Sequence, residues 1–293
     1  MKTYGMKDFF LTIAFTTMVV VGLMLPRVPA ADPKKSEIAD LALYAPDCNY
    51  TIHQGFVVGK PDRTGCPRWT LEVITADRLE GPGKRLTSSF HSAADGLPER
   101  HARDLDYLLS GKSRGHLSPA DFHHASQSEM DDCHSLDNVV PQAQVFNAQA
   151  WEHFEQYAKS LVVDDSGKPN GVKVRRVVIP IWKPEKHSVS PQGHPKGTLL
   201  VETIGEGFIW VPTHLACSLL IETKRGGDPS GGVKSGTAAR VDYRIESYLA
   251  PNSDRAAKDD FRKWRVATDT IEGLGVVDLW SGIPNEKQLE KEQ

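Results

Sequence analysis

One stretch of this chain changes its hydrophobic period, and that change limits what the rest can fold into. From Gln149 onward, Trp151, Phe154, Ala158 and Leu161 recur at three- and four-residue steps, the spacing of an amphipathic helix. Asp164-Asp165-Ser166-Gly167 stops it. Elsewhere the pattern is that of strands. Residues 69–75, 172–182, 198–204, 208–211, 215–223 and 241–249 are rich in β-branched and aromatic side chains. Gly81-Pro82-Gly83 marks a turn, residues 85–103 read as a long polar excursion, and residues 226–237 form a Gly/Ser loop. Residues 260–274 are partly helical. One strong helix set among so many strands predicts an α+β fold with an antiparallel-rich central sheet and flanking helices.

The first thirty residues differ from the remainder. Lys2 and Lys7 precede an almost wholly apolar run over 9–25, followed by Pro26-Arg27-Val28-Pro29-Ala30-Ala31. This is the layout of a signal peptide cut after Ala30, and it predicts a secreted or periplasmic protein. The alternative is an uncleaved leader anchored in a membrane by residues 9–25. The expected organisation is then a signal peptide at 1–30, an amino-terminal segment at 31–64, a main domain at 65–285 and a charged tail at 286–293.

Export would place Cys48, Cys66, Cys133 and Cys217 in an oxidising compartment, where two disulfides are expected. Four cysteines allow three connectivities; Cys48 with Cys66 is the preferred local pair, leaving Cys133 with Cys217. A zinc site on Cys133-His134 is disfavoured because no C-x-x-C spacing supports it.

Charge and motifs exclude several function classes. The net charge is −3, unlike the basic field of a protein that coats nucleic acid. Val233 rather than Gly precedes Lys234-Ser235, so the Gly-rich loop is not a P-loop. There is no G-x-S-x-G elbow and no H-E-x-x-H helix.

The informative region runs from Ser113 to Glu155. It contains Ser113-Arg114-Gly115-His116, then Leu136-Asp137-Asn138-Val139-Val140-Pro141-Gln142, then Phe146-Asn147-Ala148-Gln149-Ala150-Trp151-Glu152-His153-Phe154-Glu155. His116 suits a general base, since imidazole titrates near working pH. Asn147 lies eight residues before Glu155; at α-helical spacing the two sit roughly 80° apart on one side of the helix. Asn147 is also a natural helix N-cap, and Glu155 a natural solvated helix charge.

These segments resemble the DNA/RNA non-specific endonucleases, which carry a ββα-metal, or His-metal finger, active site. The likeness extends to Trp69 and Asp77-Arg78-Leu79-Glu80-Gly81-Pro82, to Val211-Pro212-Thr213-His214, and to Asp269, Ile271-Glu272 and Ile283-Pro284. It implies hydrolysis of DNA and RNA with little sequence preference, supported by Mg²⁺ with Mn²⁺ as a substitute, leaving 5′-phosphate ends. It further implies that His116 deprotonates water, Asn147 ligates the metal, Glu155 orients the ion's waters, and Arg85 holds phosphate.

Lys159 stands where related enzymes have an arginine and would bind phosphate less firmly. Asn138 braces the second strand and the site. Arg114 either contacts phosphate or supports the fold. Ser113 replaces the aspartate that many members carry, which removes an acidic partner there. His123 and His124 read as loop residues. A homodimer and an inhibitor protein are compatible partners, and a catalytically weak binding relative or a toxin nuclease is the alternative function.

Overall fold

The computed structural model describes residues 49–92, 100–183, 201–225, 240–274, 278–281 and 283. The leader, Cys48, residues 198–200, the Gly/Ser loop and the charged tail lie outside the described residues. Seven strands form one antiparallel sheet: β1 (Tyr50–Ile52), β2 (Phe56–Gly59), β3 (Trp69–Ile74), β6 (Val172–Ile181), β9 (His214–Arg225), β10 (Arg240–Pro251) and β11 (Arg265–Val266), in that spatial order. The α+β expectation holds. Strands β1 and β2, which fall within the 31–64 segment, are the sheet's first two members.

Both faces of the sheet are covered, which is why its central strands read as nearly continuous apolar runs. Side chains of β3 alternate: Leu71 and Val73 pack with Val177, Ile179, Leu220, Ile271 and Trp280 on one face. Ile74 packs with Val174, Val178, Leu219 and Ile221 on the other. The second face receives the long helix. It begins as α-helix at Gln144–Phe146, widens into a π-helical turn at Asn147–Trp151, and continues as α-helix at Glu152–Ser160. The expected periodic residues Trp151, Phe154 and Ala158 are all buried.

A separate two-stranded antiparallel ribbon, β4 (Lys112–His116) with β5 (Val139–Ala143), pairs Lys112 with Ala143 and His116 with Val139. Strand β5 runs directly into the helix. A second small ribbon, β7 (Thr203–Ile204) with β8 (Ile209–Trp210), is all that the described part of 198–204 and 208–211 contributes. The 260–274 stretch splits into a 3₁₀ turn, Phe261–Trp264, and a short helix, Thr268–Glu272.

The expected Cys133–Cys217 disulfide is not formed: both thiols are free and buried. They belong to different packing clusters. Cys133 sits with Phe56, Val58, Ala120 and Met130, and its Sγ–H donates to Met130 O at 3.0 Å. Cys217 lies on β9 within the core beneath the helix. Cys66 is also free, with its Sγ–H 3.2 Å from Trp210 O. Among the described residues no helix is long and apolar enough to cross a membrane.

The helix is held to the sheet by a cluster of rings centred on Phe154, whose ring centroid lies 4.8 Å from Tyr248, 5.4 Å from Trp151 and 5.5 Å from Phe261. Phe154→Ala should therefore cost about 3–5 kcal/mol, read as a lowered urea midpoint at unchanged slope. A loss below about 1 kcal/mol would mean that the site is free to collapse and that the rings are not the anchor.

Candidate active site

The ribbon and the helix together create a cleft of about 300 Å³. Its wall carries His116 from the end of β4, with Arg85 from a 3₁₀ turn and Asp121 from the turn after β4. The helix supplies Asn147, Glu152, Glu155 and Gln156. Residues spread over seventy positions of sequence thus converge because β4, β5 and the helix succeed one another as a ββα unit.

Gly115 is required by this geometry. A Cβ there would collide with the Gln142 side chain, since Gln142 on β5 crosses the ribbon beside it. The imidazole of the next residue is 9% exposed. Its Nε2 is buried without a hydrogen-bond partner, so Nδ1 is the nitrogen that opens to the cleft. Burial holds the ring well below the usual histidine range, assisted by His134, Arg85 and His123 nearby. A neutral imidazole with a lone pair is the form such a pocket favours.

Asn138 fixes the backbone on which His116 rides. It is fully buried; its Oδ1 accepts from Ser118 N at 2.9 Å, and its Nδ2 donates to Ser118 O and Cys133 O at 2.8 Å each. It does not line the cleft. Arg114 also turns away from it: Nε donates to Asp104 Oδ1 at 2.6 Å, and the guanidinium covers the Tyr107 and Phe90 rings at 5.3 and 5.7 Å. Phe90 in turn packs against His116 at 5.2 Å. Lys159 Nζ donates to Asp121 Oδ2 at 3.0 Å, so a phosphate would have to compete for it. Arg85 is exposed.

The π-helical turn changes the phase of the helix. It absorbs one extra residue, so Asn147 and Glu155 stand about as far apart in angle as residues seven α-helical steps apart, within roughly 20° rather than 80°. Asn147 has no side-chain hydrogen bond among the described residues and is half-buried. Glu155 is pushed up to about 8 by burial, Arg176 opposing and the neighbouring carboxylates Glu72, Asp121 and Glu152 adding to the rise. An amide oxygen and several carboxylates crowded into one cleft are the donor set of a hard divalent cation, whose charge would offset that repulsion.

Several contributors were not visible in the sequence. Arg176, fully buried on β6, donates from Nη1 to Glu72 Oε1 at 2.5 Å and to Leu117 O at 2.7 Å, and its Nη2 lies 3.6 Å from Glu155 Oε1. Glu72 Oε2 accepts from Ser118 Oγ at 2.6 Å, and that hydroxyl also meets His123 Nε2 at 2.7 Å. His123 is therefore not a loop residue but part of a buried network that continues through Glu129 to Arg78. The available signal was phase: Glu72 and Arg176 occupy the helix-facing positions of otherwise apolar strands. His124 is only partly buried, with Nδ1 2.9 Å from Gly83 O.

Comparison with known proteins agrees with this arrangement. The family described as DNA/RNA non-specific endonuclease matches residues 38–286. Endonuclease G, mitochondrial, of Bos taurus is 30% identical over 231 residues, covering 78% of this chain and 68% of that protein. The mitochondrial nuclease of Saccharomyces cerevisiae is 28% identical, over 77% of this chain and 64% of its own length. The chain thus spans about two thirds of these relatives. A crystal structure of an EndoG/EndoGI complex shares the fold, with a TM-score of 0.66 at 23% identity, covering 82% of this chain and 90% of that one. These relatives are mitochondrial nucleases, which overturns the expectation of a secreted or periplasmic protein. A basic start and an apolar run do not by themselves specify the compartment, and the cysteine argument fails with the missing disulfide.

The loop between β1 and β2 is tied to the segment leading into β5 by His53. Its Nδ1 lies 2.9 Å from Asp132 Oδ1 and its Nε2 3.0 Å from Asp137 Oδ2. Burial alone would depress this imidazole, but the two carboxylates outweigh it and raise it to about 9. Asp132 is lowered: burial opposes, and the His53 contact prevails. The histidine's contribution to stability should be fully present below its unfolded value near 6.5 and lost as pH rises through about 9. The aspartate's should be lost as pH falls through its depressed value. Unfolding of wild type and His53→Gln at pH 6.5 and above pH 9 checks this; an advantage that does not shrink at the higher pH would mean an uncharged contact.

Proposed function

The chain belongs to the DNA/RNA non-specific endonucleases, and from that premise we propose that it hydrolyses DNA and RNA backbones in this cleft, with Mg²⁺ or Mn²⁺ as the metal. The observation that carries the reading is the position of His116: a buried, neutral imidazole on the wall opposite Asn147 and Glu155.

Nδ1 of His116 takes a proton from a water molecule, whose oxygen then attacks phosphorus. The bond from phosphorus to the 3′ oxygen breaks, the phosphate stays on the 5′ side, and the departing oxygen takes up a proton to become a 3′-hydroxyl. Asn147 would hold the metal directly, and Glu155 would orient its surroundings from the same helix face. When bound, that ion supplies Lewis-acid stabilisation of the phosphate and the leaving oxygen. Arg85 places a guanidinium beside the phosphate as charge builds. Arg114 and Asn138 act as positioning residues, through Phe90 and the Leu117-Ser118 backbone. Lys159 would join the phosphate contacts only after leaving Asp121. Nothing in this scheme uses a 2′-hydroxyl, and phosphate contacts carry no sequence information. An inhibitor protein is a candidate partner, given the inhibited complex of the structural neighbour.

His116→Ala should lower turnover by about 10²-fold or more while the protein stays folded. Asn147→Ala should raise the Mg²⁺ concentration needed for activity, and chelation should silence the wild type. Because the His116 ring is held below 6.5, the acid limb of kcat/KM should lie below that value. End-labelling of digested DNA and RNA should find 5′-phosphate and 3′-hydroxyl ends on both. Cleavage confined to RNA with 2′,3′-cyclic phosphate ends would overturn the mechanism, though not the fold.

A further inference from the structure

Behind His116, on the side away from the cleft, lie Cys133 and His134. The ligand atoms of the three residues all fall within 4.8 Å of one another. His134 Nδ1 is 3.4 Å from Cys133 Sγ, close to the roughly 3.5 Å that separates sulfur and nitrogen ligands on tetrahedral zinc with bonds of about 2.3 and 2.0 Å. The His116 and His134 rings stand edge to face with centroids 5.0 Å apart, and His116 Nε2 is buried without a partner. One thiol and two imidazoles are soft and borderline donors, unlike the oxygen donors of the cleft.

We propose that His116, Cys133 and His134 form a second, inhibitory metal site for a soft ion of the zinc class. The inference rests on the reading of His116 as the general base. Binding releases the Cys133 thiol proton to solvent and gives a sulfur–metal bond, with a ring nitrogen from each histidine and water completing the sphere. His134 Nδ1 then gives up its 2.9 Å hydrogen bond to Met130 O if that nitrogen is the ligand. The His116 ring must move in by about 1 Å to match zinc bond lengths.

The consequence for catalysis comes from imidazole chemistry. An ion on Nδ1 takes the lone pair that would accept the water's proton. An ion on Nε2 leaves the ring's one proton on Nδ1, which again has no lone pair to offer. Either way the base is removed, while the oxygen-donor cleft can still hold Mg²⁺. Mg²⁺ is too hard to displace a thiol proton and would not compete for this site.

The test uses the full chain in saturating Mg²⁺. One equivalent of Co²⁺, a coloured stand-in for zinc, should give a thiolate-to-cobalt charge-transfer band in the wild type, absent from Cys133→Ser. Zn²⁺ should lower wild-type cleavage by about 10²-fold, the loss expected on removing a general base. Cys133→Ser should cleave normally without Zn²⁺ and resist it; His134→Gln provides the same comparison should the serine variant fold poorly. Equal inhibition of wild type and both variants, or no thiolate band, would overturn the site. A band without inhibition would overturn its inhibitory role. The cobalt band is independent of activity, so a failure of His116 as base would be seen separately.

Discussion

The arrangement depends on one buried guanidinium. Arg176 extends from the middle of the sheet to Glu72 on the neighbouring strand, to the Leu117 carbonyl just past His116, and toward Glu155 on the helix. It also lies 5.7 Å from the Phe122 and Trp151 rings. A buried ion pair is a poor source of stability, because desolvation offsets much of the attraction. Its value here is connection. Three elements with no covalent proximity are registered against a single planar group, and removing it would leave two buried carboxylates uncompensated.

That registration gives the two sides of the cleft opposite electrostatic characters. On the ribbon side, burial and nearby cations keep His116 neutral. On the helix side, crowded carboxylates raise Glu155 and create a demand for positive charge. A base and a cation site that both lay in water would each be closer to their ordinary values, and the contrast would be weaker. Asn138 and Gly115 serve the same end by geometry, one through three hydrogen bonds to the turn and the other by leaving room for Gln142.

Much of this was legible in the sequence, because local patterns encode local structure. The helix over Trp151 to Ala158 and the long strands β6, β9 and β10 come from periodicity, and the Arg-Gly-His segment from its likeness to a family. The buried network was not legible. Glu72 and Arg176 looked like ordinary strand charges, and only tertiary pairing explains why they face inward. His123 read as a loop residue because its partners, Ser118 and Glu129, mean nothing until the chain closes around them. The cysteines misled for a related reason: an even count suggests pairing, but Cys133 and Cys217 are separated into different packing clusters. The phase of Asn147 was misjudged because periodicity assumes uniform winding.

The π-helical turn at Asn147–Trp151 makes this part of the enzyme sensitive to length rather than to composition. Ala148 and Gln149 are exposed, and many side chains would fit there. Deleting either would let the turn relax to ordinary winding, a rotation of about 100° between the helical segments on its two sides. The helix would lose little intrinsic stability, yet either Asn147 would swing away from the cleft or Phe154 from the sheet. In an engineered or diverged copy, a single-codon deletion here would leave a well-formed protein whose two halves of the catalytic helix no longer address the same substrate.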